Sequence, residues 1–377
     1  MESPIAFHPI KRAQLSKTKI LLHQKIITEA YKGGFGVRYR VLGRTGMKVS
    51  ELGLGGHEYE RFLNPLHFPG ERKPEEEVGR DLLMATQGPR NELVRRAIEA
   101  GINYFDTTLI EEAQSLGLAL KTLGKRREVY VAAETIWPLE VLSKLPKSRW
   151  FEAVWGMVEN RLRLLHTDYI DVFNVHMPEK GYSRKTFEFL IEALEEIRAE
   201  GKIRAIGASS HRVNFLAELM RKYDCFDSIM IPYNYYRQEA RETLFPLCKA
   251  LNVGIVVMKP FCWPYYGIPF MYFCPADADT GEYTPSQISL KWILSSPEVS
   301  TVVPGTNSIG ELEENLGIFS KEGEIKEEVL KQALKIALSP EGKAKLRELC
   351  KNEEMGRKKV YIRGYAKRAL ETGKTGY

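Results

Sequence analysis

Ionisable and hydroxyl side chains close several short apolar runs of this chain. Asp106 ends INYFD, Glu134 ends VYVAAE, His176 ends YIDVFNVH, and Ser209 and Ser210 follow IRAIGA. A carboxyl pair and an imidazole are the residue types that hold and pass protons. Asp106 and Glu134 fall on successive runs. If these are neighbouring parallel strands, about 5 Å apart, the two carboxylates cannot easily both ionise. One of them is then expected to stay protonated near neutrality. A further set of polar groups ends later runs: Lys259 after VGIVVM, and Gly305, Thr306 and Asn307 after STVVP.

The elements that must position these groups repeat in a regular rhythm. Eight β-branched runs follow one another: Ser50–Gly55, Ile102–Thr107, Val129–Glu134, Tyr169–His176, Ile203–Ser209, Ser228–Tyr233, Val253–Pro260 and Ser300–Gly305. Most are apolar almost throughout, as expected of parallel strands covered by helices. Segments of helical period separate them. Asn91 is expected to cap a helix carrying Val94, Ala97 and Ile98 and ended by Gly101. Trp150, Val154, Val158, Leu162 and Leu165 make a second stripe; Leu190, Leu194 and Ile197, stopped by Gly201, make a third. Thr284 and Pro285 read as the cap and first residue of a helix with Ile288, Trp292 and Ile293. Eightfold strand–helix alternation predicts an α/β fold, a (β/α)₈ TIM barrel, with chemistry at the C-terminal strand ends. No G-x-G-x-x-G opens a helix after the first strand, which argues against an open dinucleotide-binding sheet.

The barrel is expected over residues 37–325, opened by a β-hairpin, Val37–Glu51, that turns near Thr45–Gly46. Residues 1–36 form an N-terminal extension and residues 326–377 a C-terminal extension of helices, with a stripe of Leu330, Leu334, Ala337 and Leu338. Net charge is +6 with acidic and basic residues interleaved, so nothing calls for a nucleic-acid partner. No apolar run approaches the roughly 18 residues of a membrane span. MESPIAFHPIKRAQ lacks the apolar core of a secretory signal, and the expected location is the cytoplasm. Five scattered cysteines with no C-x-x-C spacing argue for reduced thiols rather than a disulfide framework or a metal cluster.

Six blocks of the chain, in this order, carry a family resemblance: YRVLGRTGMKVSELGLGG, AIEAGINYFDT, LRLLHTDYIDVFNVHMPE, EEIRAEGKIRAIGASS, YNYYRQEARETLFPLCKALNVGIVV and VVPGTNSIGELEENLGIF. Together they resemble the aldo-keto reductases over roughly Tyr39 to Phe319. The resemblance implies a nicotinamide-dependent reduction of small carbonyl compounds or oxidation of alcohols. Of the family's proton relay, Asp106 matches the aspartate and His176 the histidine. Glu134 stands where the lysine is expected, and the segment Thr107–Gly117 contains no tyrosine. The relay is therefore expected to be altered: a proton held by Asp106 and Glu134 or carried by His176, with Tyr59 as another candidate donor.

For the cofactor, the resemblance implies Ser209 and Ser210 at the carboxamide, Met258 in place of the stacking aromatic, and Tyr235 as another π face. Lys259 is expected at the pyrophosphate, Gly305, Thr306 and Asn307 at the phosphate loop, and Glu314 and Asn315 near the adenine. No arginine or lysine lies between Gly305 and Asn315. NADP(H) is the expected cofactor, with NAD(H) as the alternative.

Two other readings stay open at this point. A long segment between Gly56 and Asn91 carries His57, Glu58, Glu60 and His67. With Asp106, Glu134 and His176 these could make a His/carboxylate metal site, as in a lyase, isomerase or hydrolase. An inactive nucleotide-binding relative is the other. Substrate identity and oligomeric state are not legible.

Overall fold

Near-continuous apolar runs form strands here because both of their faces are covered. A computed structural model describes residues 36–56, 80–135, 138–178, 181–234, 237–261, 283–306, 308–320, 328 and 331. Both terminal extensions lie almost wholly outside the described residues.

The chain opens on an antiparallel hairpin, β1 (Tyr39–Val41) and β2 (Lys48–Ser50). Its turn passes through a single 3₁₀ turn, Gly43–Thr45, and closes at Gly46 in the left-handed region, φ 70°. Seven parallel strands follow: β3 (Tyr104–Thr107), β4 (Tyr130–Thr135), β5 (Ile170–His176), β6 (Ile203–Ser209), β7 (Ser228–Pro232), β8 (Gly254–Met258) and β9 (Val299–Val303). They are hydrogen-bonded in sequence order. The first expected strand is present as three isolated bridges, Leu52 to Val302, Leu54 to Phe105 and Gly55 to Gly305. Gly53 donates to Val302 O at 2.8 Å, while Leu54 donates to Tyr104 O at 2.9 Å and Leu54 O accepts from Asp106 N at 2.9 Å. This segment bonds to β9 on one side and β3 on the other, so the cylinder closes. The fold is the (β/α)₈ barrel.

Helices α1 (Arg80–Glu99), α2 (Ile110–Leu123), α3 (Pro138–Lys144), α4 (Trp150–Leu164) and α5 (Arg184–Ala199) are followed by α6 (Val213–Lys222), α7 (Glu239–Thr243), α8 (Phe245–Leu251), α9 (Pro285–Leu294) and α10 (Ile309–Ser320). The α5 stripe is buried as its periodicity predicts, and Gly201 follows at φ 80°. Thr284 caps α9 in a reciprocal capping box with Gln287. One expectation is overturned. Asn91 does not start a helix: α1 begins eleven residues earlier and runs through Pro89. The Asn91 amide oxygen instead accepts from Gln87 Nε2 at 2.8 Å, one turn back.

Two apolar layers hold the cylinder. A large cluster fills the space between strands and helices, including Leu116, Leu120, Phe173, Leu194 and Ile229. A smaller one fills the barrel interior, with Tyr104, Tyr130, Val172, Met230, Val256 and Met258. The hairpin plugs the bottom through Leu42, Met47 and Val49, which belong to the same interior cluster. The barrel interior is therefore a packed core.

Candidate active site

Alternate residues of a strand face the same side. Because Tyr104, Tyr130, Val172 and Ala205 are interior, the same parity aims Asp106, Glu134, His176 and Ser209 inward from the ends of β3, β4, β5 and β6. Registers place Glu134 opposite Asn174 and His176 opposite Ser209. One glycine is required beneath them. A Cβ on Gly207 would collide with the side-chain oxygen of Asn174 on the neighbouring strand.

Asp106 is buried, and its Oδ1 has no hydrogen-bond partner among the described residues. Burial, and then the nearby charge of Glu134, push its carboxyl well above the ordinary aspartate range. Asp106 does not cap the helix that follows. Glu112 does, its Oε2 accepting from Thr108 N at 2.6 Å and Leu109 N at 2.9 Å.

Glu134 is also buried. Its Oε2 accepts from Thr108 Oγ1 at 3.3 Å, and its Oε1 lies 3.3 Å from His176 Nδ1. The buried guanidinium of Arg161, on α4, donates from Nε to the Glu134 main-chain carbonyl at 2.9 Å and from Nη2 to Thr108 O at 3.4 Å. That contact fixes the strand end carrying the carboxylate. His176 keeps 24% of its side chain exposed, so the cluster reaches solvent through the imidazole.

The opposite wall carries an amine. Lys259, just past β8, has φ 56°, a left-handed backbone that non-glycine residues rarely adopt. Its Nζ lies 3.0 Å from His211 Nε2, and the His211 ring sits edge-on to His176 with centroids 6.1 Å apart. Lys259 is half-buried, and its withdrawal from water lowers the amine to about 7, against the attraction of Glu134 and with the repulsion of Arg237.

The described residues expected at a cofactor stand at the ends of β6, β8 and β9 and on α10. Ser209 and Ser210 are buried. The Ser210 hydroxyl is already engaged, donating to Met177 O and accepting from Arg212 N, each at 3.2 Å. Met258 is packed in the barrel interior. Gly55 and Gly305 bring two backbones together, and a Cβ on Gly55 would meet Val303 O at 2.9 Å. Thr306 is buried directly ahead of α10, where Ser308 Oγ accepts from Glu311 N at 3.2 Å. Glu314 Oε1 accepts from Thr284 Oγ1 at 2.6 Å, and Asn315 is buried. Tyr59, Tyr235 and Asn307 lie outside the described residues, as do His57, Glu58, Glu60 and His67. Among the described residues no group of three or more His, Cys, Asp or Glu is arranged to hold a metal ion.

Arg161, Thr108 and His211 acquire roles that sequence reasoning did not assign. His211 follows Ser210 directly, so its place at the strand end was visible though its partner was not. Arg161 immediately precedes Leu162 in an apolar stripe, and a charge beside such a stripe is the signal that could have marked it.

Comparison with known proteins gives a consistent result. The family model described as "Aldo/keto reductase family" matches residues 86–262 and 277–337, more than half of the chain. L-Galactose dehydrogenase of Arabidopsis thaliana is 26% identical over 310 residues, covering 76% of this chain and 89% of that protein. Aldo-keto reductase YhdN of Bacillus subtilis is 30% identical over 178 residues, 45% of this chain, and that match spans only about half (51%) of the relative. Among solved structures, the holo form of aldo-keto reductase AKR11C1 from Bacillus halodurans superposes with a TM-score of 0.57 at 24% identity, covering 80% of this chain and 96% of that one. An aldo/keto reductase from Klebsiella pneumoniae in complex with NADP and acetate gives 0.57 at 20% identity, covering 81% and 97%. No helix among the described residues is long and apolar enough to cross a membrane. With a closed eight-stranded cylinder and a family match over most of it, this chain belongs to the aldo/keto reductase family.

Proposed function

We propose that the protein transfers hydride between a nicotinamide dinucleotide and a small carbonyl or alcohol substrate, using an acidic proton relay in place of a phenol and a lysine. The observation that carries this reading is the continuous set Asp106, Glu134 and His176. Asp106 holds a proton, because burial and the Glu134 charge both disfavour its ionised form. Glu134 orients the His176 imidazole through Nδ1, leaving Nε2 directed away from the carboxylate for proton exchange at the mouth.

A bound nicotinamide would supply the hydride, and solved relatives in complex with NADPH and NADP support that choice of cofactor. The residues present fit it at both ends. Asp106 Oδ1 is a buried acceptor with no partner among the described residues. The start of α10 leaves its first N–H groups without helical carbonyls, as every helix start does, and such a terminus suits a phosphate. Ser209 and Met258 would hold the nicotinamide end, and Gly305, Thr306 and Asn307 a phosphate. Glu314 and Asn315 would lie near the adenine.

Fluorescence titration with NADPH and NADH, followed by turnover on a panel of aldehydes, ketones and 2-oxo acids, tests the proposal. Binding in the micromolar range with loss of absorbance at the nicotinamide band is expected. If neither nucleotide binds, or binding brings no turnover on any carbonyl, the oxidoreductase reading falls.

A further inference from the structure

His176 connects the acidic relay to the mouth, and the hand-over of a proton to a substrate oxygen needs a donor there. We infer that Lys259 is that group: its ammonium, reaching the mouth from the wall opposite Glu134, is the immediate proton donor, and His211 is the residue that positions and recharges it. The inference rests on the oxidoreductase reading above.

Geometry carries the argument. Lys259 follows β8, whereas Glu134 ends β4, on the other side of the cylinder. Their electrostatic interaction therefore runs across the opening. Lys259 has an αL backbone, a strained conformation that persists only where the surroundings enforce it. Those surroundings are identifiable. Asn234 Nδ2 donates to Lys259 O at 3.1 Å, and the Asn234 side chain is itself held by Arg237 N at 3.1 Å. Arg237 Nη2 also donates to His211 O at 2.9 Å. One short segment after β7 thus clamps both main chains of the Lys259–His211 pair.

A contact of 3.0 Å between an amine and an imidazole nitrogen needs one lone pair and one proton between them. The pair can therefore release a proton without leaving two adjacent cations. Among the described residues, charged and titratable groups surround the amine from several strands. Glu134 on β4 favours the ammonium and Arg237 opposes it. His211 Nε2 lies against the amine, His176 on β5 packs edge-on to His211, and the Asp106 carboxyl on β3 is held well above the ordinary aspartate range by burial and by Glu134. Burial sets the balance near 7, where a general acid of this type is most effective.

The step balances as follows. A bound reduced nicotinamide would supply the hydride, and with it the two electrons, for the new C–H bond at the carbonyl carbon. The carbonyl π pair moves to oxygen, the Lys259 N–H bond breaks with its electrons remaining on nitrogen, and an O–H bond forms. The neutral amine then regains a proton from water through His211.

The test uses the full-length protein and three variants, Lys259→Met, Lys259→Arg and His211→Phe, with circular dichroism and thermal melting to confirm folding. One readout is independent of turnover: titration of ¹³Cε-labelled lysines by NMR, with Lys259 identified by its loss in Lys259→Met. A lysine titrating near 7, displaced in His211→Phe, is expected. A protein in which no lysine titrates below about 9 overturns the proposal. In kinetics, Lys259→Met is expected to lose about 100-fold in kcat for carbonyl reduction. Lys259→Arg should lose the alkaline limb of the pH profile. If Lys259→Met keeps both rate and profile in a background where the wild type reduces carbonyls, the donor assignment fails and the oxidoreductase reading stands. A wild type that neither binds NADPH nor reduces a carbonyl overturns both. Borohydride trapping of an aldehyde on Lys259 would also overturn the inference, since the amine would then act as a nucleophile.

Discussion

Glu134 Oε1 lies 3.3 Å from His176 Nδ1, and this contact joins the ends of two adjacent barrel strands, β4 and β5. The carboxylate is thereby directed into the mouth, with Thr108 on its second oxygen. Its charge acts on both neighbours that titrate: it raises the Asp106 carboxyl and opposes the lowering of the Lys259 amine.

Replacing Glu134 by Gln keeps the shape of the side chain and removes that charge. The sign on each neighbour is fixed. Without the negative charge, Asp106 ionises more easily and Lys259 loses its proton more easily. The alkaline limb of the pH–rate profile should therefore move to lower pH, with kcat falling about 100-fold. Turnover measured from pH 5 to 9 checks it. An unchanged profile would remove Glu134 from the relay.

Asp106→Asn should raise stability while lowering turnover. A carboxyl whose folded pKa is raised favours folding at low pH, and this contribution is lost as pH climbs from the unfolded value of about 3.9 towards the folded one. At neutral pH the native aspartate is thus a liability that asparagine lacks. Melting temperature should exceed that of the wild type, by roughly 2–4 °C for each kcal/mol gained. The margin should shrink as pH falls towards 4. A lower melting temperature at pH 7 contradicts this.

Gly207→Ala tests the floor of the site. The added methyl would occupy the place of the Asn174 amide oxygen on β5. Overpacking of this kind costs about 1–3 kcal/mol. Combining it with Asn174→Ala should recover part of that loss, because the two side chains compete for one space. Additive losses in a urea-denaturation cycle would show that the clash is relieved elsewhere.

Much of this architecture was legible in the sequence, for a physical reason. Strands buried on both faces must be apolar almost throughout, so eight such runs with helical stripes between them announce a cylinder. Strand parity then aims Asp106, Glu134 and His176 into it without further information. Two features escaped. Gly88–Pro89 reads as a break, because proline lacks an N–H and crowds the preceding turn, yet α1 passes through it with Gln87 tied to Asn91 and to Ser115 O at 2.9 Å. The left-handed backbone of Lys259, a residue the sequence marks as a strand-end group at the pyrophosphate, escaped for a subtler reason. A residue before proline is steered towards extended backbone, yet Lys259 stands at φ 56°, its carbonyl accepting from Asn234 Nδ2 and its amine against His211. Local rules cannot see contacts made across the barrel.

Cofactor preference offers the last test. Discrimination for a 2′-phosphate normally requires a cation at the adenine end, most effectively a bidentate arginine. Between Gly305 and Asn315 this chain has none, and carries Glu311, Glu313 and Glu314 instead. Glu313 pairs with Arg96 at 3.0 Å and Glu314 with the Thr284 hydroxyl at 2.6 Å, so two of the three carboxylates are partly committed, and the Arg96 guanidinium is held by one of them. NADPH is accordingly expected to bind no more than about tenfold more tightly than NADH, a difference of roughly 1.4 kcal/mol. Glu311→Arg should widen the gap in favour of NADPH, and raised salt should narrow it again, because an exposed cation–phosphate contact is screened. Titration with both nucleotides at low and high salt measures each step. A preference for NADPH of a hundredfold or more in the unmodified protein would mean that a cation from outside this loop reaches the phosphate.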